Sequence, residues 1–308
     1  MPAGLTDLII HQYNAEPAFS VKTRLMLGFK NAEWYACDHS TILPKPELAA
    51  LTGGYRQIPV AQVGADLYCG TELVMDLLEA RIPSPSLTRN SGEGLGRGLA
   101  YWAEDTMFWL IVLVVCGSDF ESGKRADFDA DRRQMMPGIY DIEAMKAALP
   151  VNVQKMREHL DLIERQLADG RAYMLGDEPD IADIGLCFPL DFLTYCRNGN
   201  EHIPEEYPAL SAWKKRVLGL GHGRRHEIGR EDALAVARAA QPTIAPVSTV
   251  KGGPQPGEHV RIKWAAWSPT DLEGELVEAH PRRIAVRWSA PEVGDVVVHL
   301  PRSAGSFV

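Results

Sequence analysis

Cysteine is scarce in this sequence and follows no pairing pattern. Five cysteines occur among 308 residues and none has a CxxC spacing, the spacing of many zinc and thiol-redox motifs. They are Cys37, Cys69, Cys116, Cys187 and Cys196. An odd, irregular set is typical of free thiols in a reducing compartment. We therefore expect a cytoplasmic protein without a disulfide framework.

Basic clusters and long apolar runs are also lacking. The formal net charge is −9, which argues against nucleic-acid or anionic-membrane partners because both need a basic surface. Residues 1–7 show no basic stretch followed by an apolar run, so we expect no secretory signal. The most apolar run, 107–116, has ten residues, about half of what a membrane-spanning helix requires. It predicts the middle of a buried helix.

The first 80 residues alternate between strand and helix patterns. Hydrophobic residues make up 45% of the chain, so globular folding is expected, and the length suits two or three domains. The predicted elements are strands over 8–13 and 33–37, helices over 19–29 and 46–51, a hairpin over 58–69 turning at Gly64, and a helix over 71–80. The order β-α-β-α-β-β-α is that of a thioredoxin-like domain.

The rest of the chain changes character twice. A Pro- and Gly-rich linker over 83–98 precedes helical periodicity up to residue 239, where Asp180 and Asp183 have the spacing of a capping box. After a second linker over 242–257, four short strand patterns follow. The charge there is near neutral, so a nucleic-acid-binding barrel has no electrostatic support. We expect domains over 1–86, 92–240 and 255–308, the last an independent β-rich module with Trp264, Trp267 and Trp288 in its core.

The strongest motif is PKPELAALTGGYRQIPVAQVGADLYCGTELVMDLLE, residues 44–79. We expect a cis bond before Pro59, which would turn the backbone of Ile58 toward a peptide ligand; a plain strand start is the alternative. Thr71 begins a helix, where unpaired N–H groups and the dipole favour an anion, although it also suits a simple cap. This segment resembles the glutathione-binding half of bacterial cytosolic glutathione S-transferases, and the resemblance extends over roughly 7–240.

The resemblance implies a set of residues that contact glutathione. Ile58 and Pro59 would hold the cysteinyl backbone, and Thr71 the γ-glutamyl carboxylate. Gly70 departs from related sequences, which usually carry an acidic residue or Gln there, and this departure should weaken binding unless Glu72 substitutes. Positions that contact the cysteinyl and glycyl parts in some classes are Gln57 and Lys45.

Glutathione chemistry needs a group that stabilises the thiolate, because a thiol with a pKa of about 8.5 is mostly protonated at pH 7. Tyr13 ends the first strand, as the tyrosine of the tyrosine-type classes does. Ser20 keeps a hydroxyl but falls inside the predicted helix. Related bacterial sequences read Ser-Pro-Phe before this helix, whereas here Glu16 precedes Pro17, and a carboxylate there would repel a thiolate. Tyr13 is the first candidate and Ser20 the second, with a core or interface role as the alternative for Tyr13.

Other candidate sites have weaker patterns. In the family, the first helix of the second domain lines the substrate cleft, and it carries Trp102, Asp105 and Trp109, for which core packing is the alternative. The histidines in His222–His226 have i,i+4 spacing but lack the glutamate of a zinc-protease motif. The glycines in 94–98 follow a linker instead of a strand, so a dinucleotide site is not expected. We predict no metal site.

The resemblance implies a glutathione transferase that conjugates a hydrophobic electrophile, with glutathione as co-substrate. Two alternatives remain open: a non-catalytic glutathione-fold binding protein, and a glutathione-dependent lyase or peroxidase that uses the same site. Members of the family usually pair as homodimers, and the chain shows no long coiled-coil seam, so a twofold globular dimer is expected.

Overall fold

The computed structural model describes residues 3–14, 18–118, 126–194, 207–243 and 253–308. Within them the helices are α1 (Ala18–Phe29), α2 (Pro46–Thr52), α3 (Thr71–Arg81), α4 (Gly92–Trp102), α5 (Phe108–Gly117), α6 (Ala126–Met135), α7 (Ile142–Leu167), α8 (Ile181–Leu193), α9 (Pro208–Leu218) and α10 (Arg230–Ala239). The strands are β1 (Ile9–Gln12), β2 (Glu33–Asp38), β3 (Val60–Val63), β4 (Asp66–Cys69), β5 (Arg224–Glu227), β6 (His259–Trp264), β7 (Leu272–Ala279), β8 (Arg283–Ala290), β9 (Gly294–Pro301) and β10 (Gly305–Phe307).

The N-terminal part has the predicted β-α-β-α-β-β-α order. Strand β1 lies between β2, to which it is parallel, and β3, to which it is antiparallel. Strands β3 and β4 form the hairpin that the Gly64 turn indicated. Alternation along β1 sends Ile10 into the large core shared with α1, α3 and the helical region, while Ile9 and His11 face the side covered by α2 and α10. The two faces therefore belong to different cores.

The helical region begins earlier than the sequence predicted. Residues 92–98, expected to be linker, form the first turns of α4. Gly96 permits this because a Cβ there would lie 2.9 Å from the Ile181 side chain, so its absence lets α4 approach α8. Helix α7 continues through Pro150. The predicted capping box at the start of α8 is present, with Asp180 and Asp183 each bonded to the other's backbone N–H.

A π-helical segment, Ala103–Met107, joins α4 to α5. The continuous helix over Gly92–Gly117 is therefore 26 residues long, and by length and composition it is apolar enough to cross a membrane. Half of its apolar window is buried inside the protein, where it packs against α7 and α8. Such burial is typical of a core helix. The ten-residue run seen in the sequence is thus only its last part.

The C-terminal strands extend the first sheet, which contradicts the expected independent module. The sheet order is β10-β6-β7-β8-β9-β4-β3-β1-β2-β5, and β9 runs parallel to β4. Strand β5, which overlaps the 222–226 histidine segment, pairs with β2 at the other edge. Backbone groups at the edge of a four-stranded sheet are open to further pairing, and here both edges are paired.

The predicted tryptophan core of the C-terminal strands is wrong for Trp267, whereas Trp264 and Trp288 belong to the apolar cluster of these strands. Trp264 packs edge-on against Tyr55, and the Trp288 indole donates to the Ala50 carbonyl at 2.8 Å, so both contact the N-terminal part. Trp267 is 41% exposed. One apolar cluster joins α2, β3 and β4 to β6, β7, β8 and β9. The C-terminal strands and the N-terminal part share a core.

Candidate functional site

The Ile58–Pro59 peptide is cis, as predicted. It stands directly before β3, and the Pro59 carbonyl accepts a hydrogen bond from Gly70 N–H at 3.0 Å. The Ile58 side chain is buried. Within the described ranges, no backbone group pairs with the N–H or C=O of Ile58. These two groups are available for an extended peptide ligand.

Tyr13 lies just beyond the end of β1, and its hydroxyl accepts a hydrogen bond from the Lys45 ammonium. The same ammonium donates to the Arg56 carbonyl at 2.8 Å. Lys45 is only 4% exposed, and burial together with the cations of Arg56 and Arg132 lowers its pKa to about 7. Lys45 is therefore a buried partner of the tyrosine.

Ser20 lies in the first turn of α1 and is almost fully buried. Its hydroxyl accepts a hydrogen bond from the backbone N–H of Tyr13 at 3.2 Å. This bond fixes the backbone of Tyr13 against α1. The nearby Glu16 and Pro17 lie outside the described residues.

A cavity of about 180 Å³ opens between the N-terminal part and the helical region. Its lining residues are Tyr13, Ala18, Phe19, Arg56, Gln57, Ile58, Phe108, Trp109, Val112, Cys116, Phe128, Arg132, Met135, Met136, Tyr140 and Phe192. Three of the predicted site residues from the first domain, Tyr13, Gln57 and Ile58, meet there. The remaining wall is mostly aromatic and aliphatic, which suits an apolar ligand.

The three residues predicted to bind substrate are separated. Trp109 lines the cavity and packs edge-on against Phe108. Trp102 instead packs against His159 of α7 at a ring distance of 5.3 Å, which is the core-packing alternative. Asp105 is exposed. The π-segment Ala103–Met107 lies between Trp102 and Trp109 and changes the helical register there.

The N-terminus of α3 begins at Thr71, after Gly70. Gly70 has φ 84° and ψ 158°, a region that is almost restricted to glycine. This explains the missing acidic side chain, because any other residue at this position would be strained. Thr71 is buried, and its hydroxyl accepts from the Lys22 ammonium at 3.3 Å and donates to Glu104 at 3.4 Å.

Lys22 and Glu104 complete this corner of the site, and neither was predicted. Lys22 is fully buried and forms an ion pair with Glu104, which comes from the π-segment. Burial raises the pKa of the Glu104 carboxyl, while Lys22 opposes the shift. Lys22 shares a face with Leu25 and Met26 of α1, so a charge on an apolar face was the available signal. Glu104 lies in the π-segment, where the helical periodicity of 3.6 residues does not apply, so no such pattern pointed to it.

Glu72 links the corner to α4. Its carboxylate lies 3.8 Å from the Lys22 ammonium and accepts from Arg97 at 2.8 Å and from the Tyr101 hydroxyl at 3.0 Å. Arg97 also pairs with Asp76. Glu72, which was predicted to substitute for an acidic residue at position 70, is thus already bonded to residues of α4. Glu104 lies against Thr71 instead.

Arg56 closes the other side of the cavity. Its guanidinium Nη2 donates to both carboxylate oxygens of Asp131 in α6, at 2.6 and 2.7 Å, in a buried ion pair, and Nη1 donates to the Trp267 carbonyl at 3.3 Å. A second cavity of about 520 Å³ adjoins Arg56 and Lys45. Residues 267–270, between β6 and β7, form one wall of it. The C-terminal part of the chain therefore reaches the site.

Comparisons with known proteins agree with this geometry. The chain matches the family described as glutathione S-transferase, C-terminal domain, over residues 144–216. No curated protein sequence matches it. A glutathione transferase family member from Pseudomonas fluorescens Pf-5, solved with two glutathione molecules bound, shares 12% identity and a TM-score of 0.53 over 70% of this chain and 89% of its own. FzlA from C. crescentus shares 20% identity and a TM-score of 0.52 over 68% and 87%.

These two similarities concern the fold alone. A GST-like protein from Pseudomonas syringae is much more similar, with 32% identity and a TM-score of 0.79. The match covers 98% of this chain and 99% of that protein, so it includes the C-terminal strands. The chain is a member of the glutathione S-transferase family.

Proposed function

We propose that the protein is a glutathione transferase that joins the glutathione thiolate to a hydrophobic electrophile. The observation that carries this proposal is the unpaired backbone of Ile58, next to Tyr13 at an apolar cavity. The cysteinyl part of glutathione would pair with the Ile58 N–H and C=O. Its sulfur would then lie near the Tyr13 hydroxyl, and Gln57 would lie beside the bound peptide.

The γ-glutamyl end of glutathione carries both a carboxylate and an ammonium group. We place the carboxylate at the first N–H groups of α3 and the Thr71 hydroxyl, where the helix dipole favours an anion. The ammonium would pair with Glu104, which lies 3.4 Å from the Thr71 hydroxyl. In this arrangement Glu104 supplies the negative charge that glycine at position 70 lacks, and Lys22 holds it in place.

Tyr13 would donate a hydrogen bond to the thiolate and thereby favour its ionised form. The Lys45 ammonium, which donates to the same hydroxyl oxygen, would make the phenol a stronger donor. The thiolate then attacks an electrophilic carbon and forms the C–S bond. The leaving group departs with the electron pair of the broken bond. The apolar walls around Phe108 and Trp109 favour a hydrophobic electrophile.

Two measurements test the proposal. Calorimetry should show glutathione binding, and a generic aryl halide should be conjugated at a rate that depends on glutathione. Des-amino glutathione lacks only the α-ammonium. It should bind more weakly than glutathione to the wild type, whereas Glu104→Gln should bind the two ligands equally well. The absence of binding at millimolar glutathione would rule out the proposed function, whereas unchanged discrimination in Glu104→Gln would rule out only the role of Glu104.

A second candidate function is a non-catalytic binding protein of the same fold. The observation in its favour is that the Thr71 hydroxyl and the Lys22 ammonium already have partners, with Glu72 and Glu104 beside them. Two carboxylates near the helix start oppose an incoming anion. Glutathione binding without conjugation, lyase or peroxidase turnover would support this candidate. Turnover of an ether or a peroxide in place of the aryl halide would instead support a glutathione-dependent lyase or peroxidase.

We also propose that the protein works in the cytoplasm as a homodimer. Buried free cysteines over the described ranges suit a reducing compartment. Light scattering at micromolar concentrations tests the assembly, and the mass of one chain would refute it.

A further inference from the structure

Three potential metal ligands converge on the face of the sheet covered by α2 and α10. His11 in β1 is the register partner of Cys37 in β2, and His39 follows two residues later. In adjacent strands, register partners and alternate residues point to the same face. Their ligand atoms all lie within 4.8 Å of one another, and all three side chains are buried.

Gln62 determines which nitrogen of His11 carries the proton and which is free to bind a metal ion. The Gln62 amide nitrogen donates to the carbonyls of Gly64 and Ala233, so its oxygen must be the atom 2.9 Å from His11 Nε2. Because that oxygen only accepts, His11 Nε2 carries the proton. His11 Nδ1 is therefore a lone pair directed at His39 Nε2, 2.9 Å away. A ligand histidine whose second nitrogen donates to a carbonyl is the usual arrangement in metal sites.

The distances are close to those of a coordinated ion. Metal–nitrogen bonds of about 2.0 Å and metal–sulfur bonds of about 2.3 Å imply separations of roughly 3.4 Å between nitrogens and 3.7 Å from sulfur to nitrogen. Cys37 Sγ lies 3.7 Å from His39 Nε2, and the two imidazole nitrogens would have to separate by roughly 0.5 Å.

We propose that His11, Cys37 and His39 form a buried copper(I) site that is separate from the glutathione cavity. One thiolate and two imidazoles are soft to borderline ligands, which suit copper(I). Binding releases the Cys37 proton, so the thiolate and the monovalent ion sum to zero charge. A divalent ion would leave a net positive charge in the core, which is costly. Three ligands in a dry environment also suit copper(I) better than zinc, which takes four.

A chain of hydrogen bonds from Gln62 through His11 to His39 is the competing explanation. It needs no ion and gives Cys37 no special role, so the contribution of the cysteine separates the two. Because the ligands are buried, copper must be available while the chain folds. The full-length protein should therefore be expressed in copper-supplemented medium, and in parallel refolded anaerobically with copper(I).

Copper per chain is then measured after dialysis against a copper(I) chelator. We expect one equivalent in the wild type and less than a tenth of that in Cys37→Ser and His39→Asn. Cys187→Ser is the matched control, since Cys187 is also buried but contacts only the Lys214 carbonyl as a polar partner; it should retain one equivalent. Circular dichroism melting verifies that each variant is folded.

X-ray absorption at the copper edge of the wild type gives a test that needs no variant. The expected coordination is one sulfur and two imidazole nitrogens. Retention of no copper by either route, equal retention by Cys37→Ser, or coordination without sulfur would each overturn the proposal. Stoichiometric zinc in place of copper would overturn the assignment of the ion. None of these results depends on whether the protein conjugates glutathione.

Discussion

Removal of the Tyr13 hydroxyl tests the proposed mechanism most directly. Tyr13→Phe keeps the ring at the cavity but removes one hydrogen bond to the thiolate. A hydrogen bond to a charged group contributes about 1.5–3 kcal/mol. Since each 1.36 kcal/mol is tenfold in rate, kcat/KM for conjugation should fall roughly ten- to a hundredfold. The pKa of the bound thiol should rise by about 1–2 units for the same energy.

The assay follows thiolate absorbance in the ultraviolet against pH, together with conjugation rates. Lys45→Met leaves the Tyr13 hydroxyl in place but removes its donor, so it should also raise the thiol pKa, by less than Tyr13→Phe. The double variant should resemble Tyr13→Phe alone, because Lys45 acts through that hydroxyl. Ser20→Ala is the control: it removes the bond to the Tyr13 N–H and should lower stability by about 0.5–1.5 kcal/mol with a smaller effect on the thiol. An unchanged thiol pKa in Tyr13→Phe would refute the reasoning.

Three further predictions follow from the same geometry. Glu104→Gln should weaken glutathione binding about tenfold or more by the loss of a charged hydrogen bond, whereas Asp105→Asn, at the exposed neighbouring position, should leave calorimetric affinity unchanged. A chain that ends at residue 243 should melt at lower temperature and lose glutathione binding, because β4 loses its partner β9 and a shared core opens; a stable, binding fragment would contradict this. Lys45 should make the free energy of unfolding rise between about pH 7 and 10. Over that range its side chain is protonated in the unfolded chain but not in the folded protein, where its pKa is about 7. Denaturant titrations should show this slope in the wild type and a flatter one in Lys45→Met.

Sequence reasoning predicted the elements whose signals are local. The cis peptide before Pro59 and the hairpin at Gly64 are both where the motif placed them. Proline and glycine restrict the backbone at their own positions, so no knowledge of the tertiary structure is needed. The capping box at the start of α8 was predictable for the same reason, because it needs only two aspartates three residues apart.

The interactions of Glu104 and Lys45 depend on distant parts of the chain. Glu104 lies beside Thr71 because a π-segment turns it there, and the sequence carries no periodic signature of such a segment. Lys45 was predicted to contact glutathione, yet its ammonium is buried between Tyr13 and the Arg56 carbonyl. A lysine in a loop is usually solvated, and only the fold shows that the surrounding chain encloses this one.

The C-terminal strands illustrate why a linker does not establish independence. Their alternating pattern was readable, but the pattern is the same whether a strand pairs within its own module or with β4. The unpaired edge of β4 and the apolar side chains of α2 decide the outcome, because an open edge and an exposed apolar face are both costly. Once β9 is paired there, the 267–270 segment lies against Arg56, whose ion pair with Asp131 closes the cavity. The C-terminal strands therefore stabilise the wall of the proposed glutathione site, and the Pseudomonas syringae protein, which matches over the same full length, allows this dependence to be tested in a second chain.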